Sequence, residues 1–234
     1  GKPSLLYQEG TPMTRLANAE DDIIAALEAL EAELGAQNSE MAHVAEAGKP
    51  DRPSGEPTLD NLAAVMGNML PENAIVVDES VTTGRGFFPA TAGAARHDWL
   101  NNRGGSIGFG MPVALGAAVA APDRKVVLLE GDGSGMYTIQ SLWSMAREQL
   151  DVTTIVFSNR SYKILRGELS NVGVQNPGPR AIDMLTLDRP DLGWVDMAKG
   201  MGVDGEQVSD CEGLMRAMEA GLQTDGPYLI DLVM

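Results

Sequence analysis

The sequence has few of the features that mark secreted, membrane or metal-finger proteins. Its one cysteine, Cys211, allows neither an internal disulfide nor a cysteine-based zinc site, so a reducing cytoplasm is the expected compartment. No apolar run approaches the roughly 20 residues of a membrane-spanning helix. The chain starts at Gly1 without a signal-peptide pattern or an initiator methionine. We therefore expect a chain that begins after processing or within a longer protein.

Positive charge and aromatic side chains are also scarce. There are 17 Lys and Arg residues against 33 Asp and Glu, which gives a net charge of −16. An acidic chain repels nucleic acids and anionic membranes, so we expect neither as a partner, although the acidity can also serve solubility alone. Aromatic residues make up 5% of the chain and glycines number 27. This composition favours a helix-rich α/β domain over an all-β sandwich.

The apolar pattern divides the chain into three parts. Leucine and isoleucine residues recur at helical spacing over 15–34, which predicts one amphipathic helix. Prolines, glycines and scattered charges over 36–57 predict a linker. Regular apolar segments begin at residue 58 and continue to residue 234, which predicts one large domain.

Apolar segments that alternate between strand and helix patterns predict the architecture of this domain. The predicted strands are 74–78, 125–129, 153–157 and 228–233, and the predicted helices are 58–70, 107–121, 135–149, 192–201 and 211–222. Strands that are apolar throughout indicate an α/β fold in which helices cover both faces of a parallel sheet. Because ligands bind at the carboxyl ends of such strands, the residues after each strand are the candidates for function.

A glycine-rich turn follows the predicted strand 125–129. Gly131 and Gly133 allow close approach of an anion, and the helix that follows offers free amides, although such a turn could also be purely structural. The dinucleotide fingerprint is excluded because Met136 stands where its last glycine is required. Asp132 would repel a phosphate unless a cation lay between them. Magnesium, which prefers oxygen ligands, meets that need.

A second oxygen ligand is available at the end of the neighbouring strand 153–157. Asn159 lies there, 27 positions after Asp132, although alone it is more typical of a turn residue than of a ligand. The two residues together resemble the motif of thiamine-diphosphate enzymes, in which GDG is followed at this distance by Asn. The resemblance implies Mg²⁺ bound by Asp132, Asn159 and the backbone carbonyl of Ser161. It also implies that Gly131, Asp132, Gly133, Ser134, Asn159 and Ser161 contact the cofactor.

Two further segments resemble the same family. Ile107, 25 positions before Asp132, takes the position of the apolar residue that wedges under the cofactor, and the carbonyl of Gly105 would accept a hydrogen bond from the aminopyrimidine. Without the resemblance, Ile107 would be taken for a core residue. The loop after strand 74–78 resembles the one that binds the diphosphate from the other side, with the Val81 amide and Thr82 as the implied contacts.

The segment after Asn159 bears on the reaction. Tyr162, Ile164 and Leu165 are implied to lie at the cofactor and substrate. The overall resemblance is to acetolactate synthase large subunits and to benzoylformate-decarboxylase-like proteins. Glu168 stands where acetolactate synthases carry a tryptophan, which favours the second group. The resemblance implies decarboxylation or carboligation of a small 2-oxo acid. A non-catalytic cofactor-binding domain and a truncated fragment are the alternatives.

The resemblance also implies domains and partners outside the sequence. Residues 1–35 resemble the end of the family's central domain, and 58–234 its thiamine-diphosphate-binding domain. The N-terminal domain, which binds the pyrimidine and supplies the activating glutamate, is absent. A homodimer or homotetramer is implied because the cofactor lies between domains of two subunits.

Overall fold

The computed structural model describes residues 7–8, 10–40, 44–102 and 104–234, and these residues divide into two compact units between Val44 and Ala45. In the first unit, α1 (Ile23–Glu33) begins later than the predicted helix over 15–34. The reason is an N-cap: the side chain of Asp22 accepts hydrogen bonds from the amides of Ile24 and Ala25, which ends the extended segment before it.

The second unit alternates strands and helices. Its elements are α2 (Leu59–Met69), β1 (Ala74–Glu79), α3 (Phe87–Ala90), β2 (His97–Asn101), α4 (Gly110–Ala120), β3 (Val126–Gly131), α5 (Asp132–Gly135), α6 (Ser141–Arg147), β4 (Val152–Ser158), α7 (Lys163–Asn171), α8 (Pro179–Asp183), α9 (Trp194–Gly200), β5 (Asp204–Val208), α10 (Cys211–Gln223) and β6 (Tyr228–Val233). In the described part of the chain, no helix is long and apolar enough to cross a membrane.

The six strands form one parallel sheet in the order β2-β1-β3-β4-β6-β5, and helices cover both of its faces. This confirms the predicted fold class. Successive residues of a strand point to opposite faces, so Val76 packs with α2, α3 and α10, whereas Val77 packs with α4, α6 and α9. The four predicted strands are the four central ones. They are buried on both faces, which is why their sequences are largely apolar.

The differences from prediction lie at the edges of the sheet and in one helix. The edge strands β2 and β5 were not predicted because their sequences, His97–Asn101 and Asp204–Val208, are largely polar. The predicted helix 135–149 is correct only in its later part: α6 covers Ser141–Arg147, and a separate single turn, α5, and further turns precede it. Gly133 and Gly135 lie in that first turn, and glycine disfavours a continuous helix.

The strand order places a crevice beside β1 and β3. The chain leaves β1 towards β2 at one edge of the sheet, whereas it leaves β3 towards β4 in the opposite direction. In open parallel sheets, ligands bind outside the carboxyl ends of strands at such a reversal. The loops after β1, β3 and β4 are therefore the parts of this fold best placed to form a site.

Candidate functional site

The loops after β3 and β4 meet through the carboxyl group of Asp132. This side chain is 3% exposed. Its Oδ1 accepts a hydrogen bond from the amide of Gly133 at 2.9 Å, and its Oδ2 accepts one from the amide of Arg160 at 2.6 Å. Arg160 lies between Asn159 and Ser161, so the structure brings Asp132 against the segment that carries the other two predicted metal ligands.

The predicted metal ligands form a set of oxygen donors. Asn159 Oδ1 accepts a hydrogen bond from the Ser161 amide at 3.1 Å, and the Ser161 carbonyl accepts one from the Lys163 amide at 2.8 Å. Each of these oxygens keeps a second lone pair. One carboxylate, one amide oxygen and one carbonyl are the kinds of oxygen ligand that would suit Mg²⁺. No group of three His, Cys, Asp or Glu side chains that could hold a metal occurs in the described residues.

The electrostatics of Asp132 also fit a cation. Burial raises the pKa of this carboxyl from its ordinary value of 3.8 to about 6, and the charge of Asp231 adds to the increase. The hydrogen bonds from the Arg160 and Gly133 amides lower the pKa but do not offset burial. The ionised carboxylate is therefore under-compensated by the protein alone. A divalent cation beside it would supply the missing charge.

Close packing explains the second glycine of the motif. A Cβ atom added at Gly133 would lie 2.8 Å from Cδ1 of Tyr162, so only glycine lets the aromatic ring pack against this turn. Next to it, Ser134 Oγ lies 2.5 Å from Oε1 of Glu130 and 3.2 Å from the Gly131 carbonyl. The predicted residues Gly131, Gly133, Ser134 and Tyr162 thus belong to one packed cluster.

Two cavities border this edge of the sheet. The larger, of about 1260 Å³, brings together Thr82 from the loop after β1, Asn159 and Ser161 from the loop after β4, and Ile164 from α7. A smaller one, of about 430 Å³, brings together Val81 and Gly105. The remaining predicted residues lie outside both linings: Ile107, Gly131, Asp132, Gly133, Ser134, Tyr162 and Leu165.

Three apolar residues predicted to contact the cofactor are exposed to solvent. Val81, Ile107 and Leu165 have exposed fractions of 47%, 59% and 46%. A core role for Ile107, the alternative from the sequence alone, is therefore wrong. Val81 has a φ of +49°, a left-handed conformation that is strained for a β-branched side chain. Such strain is found where a loop is held in a functional geometry.

Sequence reasoning missed a pair of buried glutamates. Glu79 ends β1, Glu130 lies opposite it in the register of β3, and both side chains are buried. Burial raises the pKa of Glu79. Burial and, next, the charge of Glu79 raise the pKa of Glu130 well above its ordinary value. The available signal was a glutamate at the end of each of two otherwise apolar strands.

Comparisons with known proteins agree with this geometry. A family model described as "Thiamine pyrophosphate enzyme, C-terminal TPP binding domain" matches residues 87–232, more than half of the chain. The IlvX protein of Mycobacterium tuberculosis, provisionally named an acetolactate synthase large subunit, is 53% identical over 194 residues, which are 82% of this chain and 38% of that protein. Benzoylformate decarboxylase of Pseudomonas aeruginosa is 33% identical over 190 residues, 81% of this chain and 33% of that enzyme.

A solved structure agrees as well. The thiamine diphosphate-dependent 4-hydroxybenzoylformate decarboxylase of Rhodococcus jostii RHA1 matches with a TM-score of 0.72 at 29% identity, over 90% of this chain and 39% of that one. The chain thus spans between a third and two fifths of the length of these relatives. The chain belongs to the thiamine pyrophosphate enzyme family, and residues 87–232 match its C-terminal, thiamine-pyrophosphate-binding domain.

Proposed function

We propose that the chain is the part of a 2-oxo acid decarboxylase or carboligase that binds Mg²⁺ and the diphosphate of thiamine diphosphate. The observation that carries this proposal is the hydrogen bond from the Arg160 amide to Asp132, because it joins the loops of the two motif residues. Asp132, Asn159 and the Ser161 carbonyl would hold the metal. Gly131, Gly133 and Ser134 would lie at the diphosphate.

The other predicted residues would hold the rest of the cofactor. Thr82 and the Val81 amide would contact the diphosphate from the side of β1, the Gly105 carbonyl would accept a hydrogen bond from the aminopyrimidine, and Ile107 would support the two rings. Tyr162, Ile164 and Leu165 would border cofactor and substrate. When bound, thiamine diphosphate supplies a carbanion that adds to a 2-oxo carbon and accepts the electrons released with carbon dioxide. The protein orients the reactants and excludes water.

The exposed apolar residues support an assembly larger than the chain. Val81, Ile107 and Leu165 are apolar side chains at a cofactor site, and each is exposed to solvent. We propose that the cofactor and an N-terminal pyrimidine-binding domain of another subunit cover them. That domain would supply the activating glutamate, and the enzyme would be a homodimer or homotetramer. Analytical ultracentrifugation of the full gene product tests the subunit number, and a monomer would contradict it.

The proposal includes two alternative reactions, which differ in their substrates. An acetolactate synthase-like reaction would join two small 2-oxo acids, and the identity to the IlvX protein favours it. A benzoylformate decarboxylase-type lyase is favoured by Glu168, because this residue stands where acetolactate synthases are expected to carry a tryptophan. Glu168 is exposed, and its carboxylate accepts a hydrogen bond from the side chain of Asn171. Incubating the full gene product with pyruvate and with benzoylformate, while carbon dioxide and acetolactate are measured, separates the two. Release of carbon dioxide from neither would count against both.

A cofactor-binding domain without catalysis is the proposal of a different class. It predicts that thiamine diphosphate binds equally well without Mg²⁺ and to the Asp132→Ala variant. Our proposal predicts that both changes weaken binding at least about tenfold, because the diphosphate would then face a carboxylate or lack the bridging cation. Asp151→Asn is a matched control, since Asp151 pairs with Lys125 beyond the opposite ends of the strands. Intact mass compared with the gene would identify a truncated fragment.

A further inference from the structure

Glu79 holds the segment that leads into α4. Its side chain is 2% exposed. Oε1 accepts a hydrogen bond from the amide of Gly108 at 2.6 Å, and Oε2 accepts one from the amide of Gly110 at 2.5 Å. The Gly110 amide lies in the first turn of α4, where a helix leaves amides unpaired and favours negative charge, and the Gly108 amide lies two residues before it. One carboxylate thus fixes the backbone directly after Ile107.

The same carboxyl group meets Glu130 at Gly110. A Cβ atom added at Gly110 would lie 2.4 Å from Oε2 of Glu130 and 2.9 Å from Oε2 of Glu79, so both side chains abut this glycine. Oε1 of Glu130 lies within hydrogen-bond distance of Ser134 Oγ and of the Gly131 amide, and its Oε2 has no hydrogen-bond partner. The glutamate pair therefore links the start of α4 to the loop after β3.

We propose that Glu79 is a positioning residue, which sets the distance between the segment carrying Gly105 and Ile107 and the loop carrying Asp132. The inference rests on the proposed function, because those two parts would hold the aminopyrimidine and the diphosphate of one cofactor. The covalent bonds of the cofactor limit the distance that these ends can span. A displaced α4 segment would then lose the pyrimidine contacts while leaving the diphosphate contacts in place.

The segment that Glu79 holds is rich in glycine, which leaves its backbone few conformational restraints of its own. Gly104, Gly105 and Gly108 have φ values of +74°, +72° and +84°, and the described residues between β2 and α4, 102 and 104–109, form no helix or strand. Ser106 is held by hydrogen bonds with Asn102. The Gly108 carbonyl accepts a hydrogen bond from Thr138 Oγ1 at 2.9 Å. Of the side chains that hold this segment, Glu79 is the one that is buried and carries an ionisable carboxyl group. Hydrogen bonds to a charged group are stronger than those between neutral groups.

The test compares two ligands in the full gene product. Calorimetric titration in the presence of Mg²⁺ gives the Kd of each ligand. Thiamine diphosphate would contact both parts of the site, whereas inorganic pyrophosphate would contact only the metal and the loop after β3. We expect Glu79→Gln to raise the Kd for thiamine diphosphate about tenfold or more, because an amide NH₂ would face one backbone amide. The Kd for pyrophosphate should change less than about threefold. Thr138→Val is the matched control. It removes one hydrogen bond to the same segment, and we expect it to weaken thiamine diphosphate binding less than Glu79→Gln does.

Equal weakening of both ligands, or no weakening of either, would overturn the positioning role. If the wild-type protein binds neither ligand, the proposed function fails instead. Hydrogen exchange in the wild-type protein keeps the proposal testable even if Glu79→Gln does not fold. The amides of Gly108 and Gly110 should exchange as slowly as those inside α4, and exchange at the rate of an open loop would contradict the inference.

Discussion

The stability of the metal-free protein should increase as the pH falls, and Asp132 should account for a defined part of that increase. The pKa of Asp132 is about 6 in the folded protein and 3.8 ordinarily, so the folded state binds more protons between these values. The free energy of unfolding therefore rises as the pH falls through 6. One pKa unit corresponds to about 1.4 kcal/mol, which gives a contribution of about 1.4 kcal/mol between pH 7.5 and 5.

The Asp132→Asn variant isolates this contribution. It lacks the titrating group, whereas Asp78, Glu79 and Glu130, whose pKa values burial also raises, remain in both proteins. One of the two amides that donate to Asp132 would face the new NH₂ group, which lowers stability by about 1–3 kcal/mol at every pH. The difference between two pH values is therefore the informative quantity, not the stability at one pH.

Urea denaturation in EDTA at pH 7.5 and at pH 5, followed by tryptophan fluorescence, measures this difference. The wild-type protein should gain about 1.4 kcal/mol more than Asp132→Asn on acidification. Mg²⁺ with pyrophosphate should reverse the trend in the wild type, because the metal binds the ionised carboxylate and stabilises most at pH 7.5. Equal pH dependence in the two proteins would refute the electrostatic reasoning for Asp132.

Three further substitutions, with Gly116→Ala as a control, test the packing, the backbone strain and the buried charge of the site by urea denaturation. Gly133→Ala should destabilise the protein by about 1–3 kcal/mol, because its Cβ would lie 2.8 Å from the Tyr162 ring. Gly116 lies on α4 with open space around it, so Gly116→Ala should stabilise the protein by about 0.5–1 kcal/mol. Equal effects of these two would contradict the packing argument. Val81→Gly should raise the free energy of unfolding by about 1 kcal/mol by relieving the left-handed strain, and a decrease would show that Val81 is not strained. Glu130→Gln should make the free energy of unfolding less dependent on pH than in wild type, because burial raises the pKa of Glu130 well above its ordinary value and glutamine does not titrate. An unchanged pH dependence would contradict this reasoning.

The central part of the fold could be predicted from the sequence because burial on both faces leaves a continuous apolar run. That is true of β1, β3, β4 and β6, whose order along the chain then places the loops. The edge strands β2 and β5 have one open side, so polar residues such as His97 and Asp204 fit them and hide the pattern. The first residue of α1 is set by the N-cap of Asp22, and the spacing of apolar residues along the sequence does not indicate that cap.

The candidate site was predictable where it depends on spacing along the chain. Asp132 and Asn159 follow adjacent strands, so their separation in sequence already indicates proximity. The pairing of Glu79 with Glu130 depends instead on strand register and on Gly110 of a third element, neither of which a single sequence displays. The exposure of Ile107 was likewise hidden, because an apolar residue next to a helix is ordinarily core.

A crystal structure with Mn²⁺ and thiamine diphosphate, read by anomalous scattering, tests the central claim most directly. The account predicts one metal peak about 2.0–2.4 Å from a carboxylate oxygen of Asp132, Asn159 Oδ1 and the Ser161 carbonyl, with diphosphate oxygens completing the octahedron. A metal peak elsewhere, or a cofactor bound at this edge of the sheet with no metal beside Asp132, would contradict it.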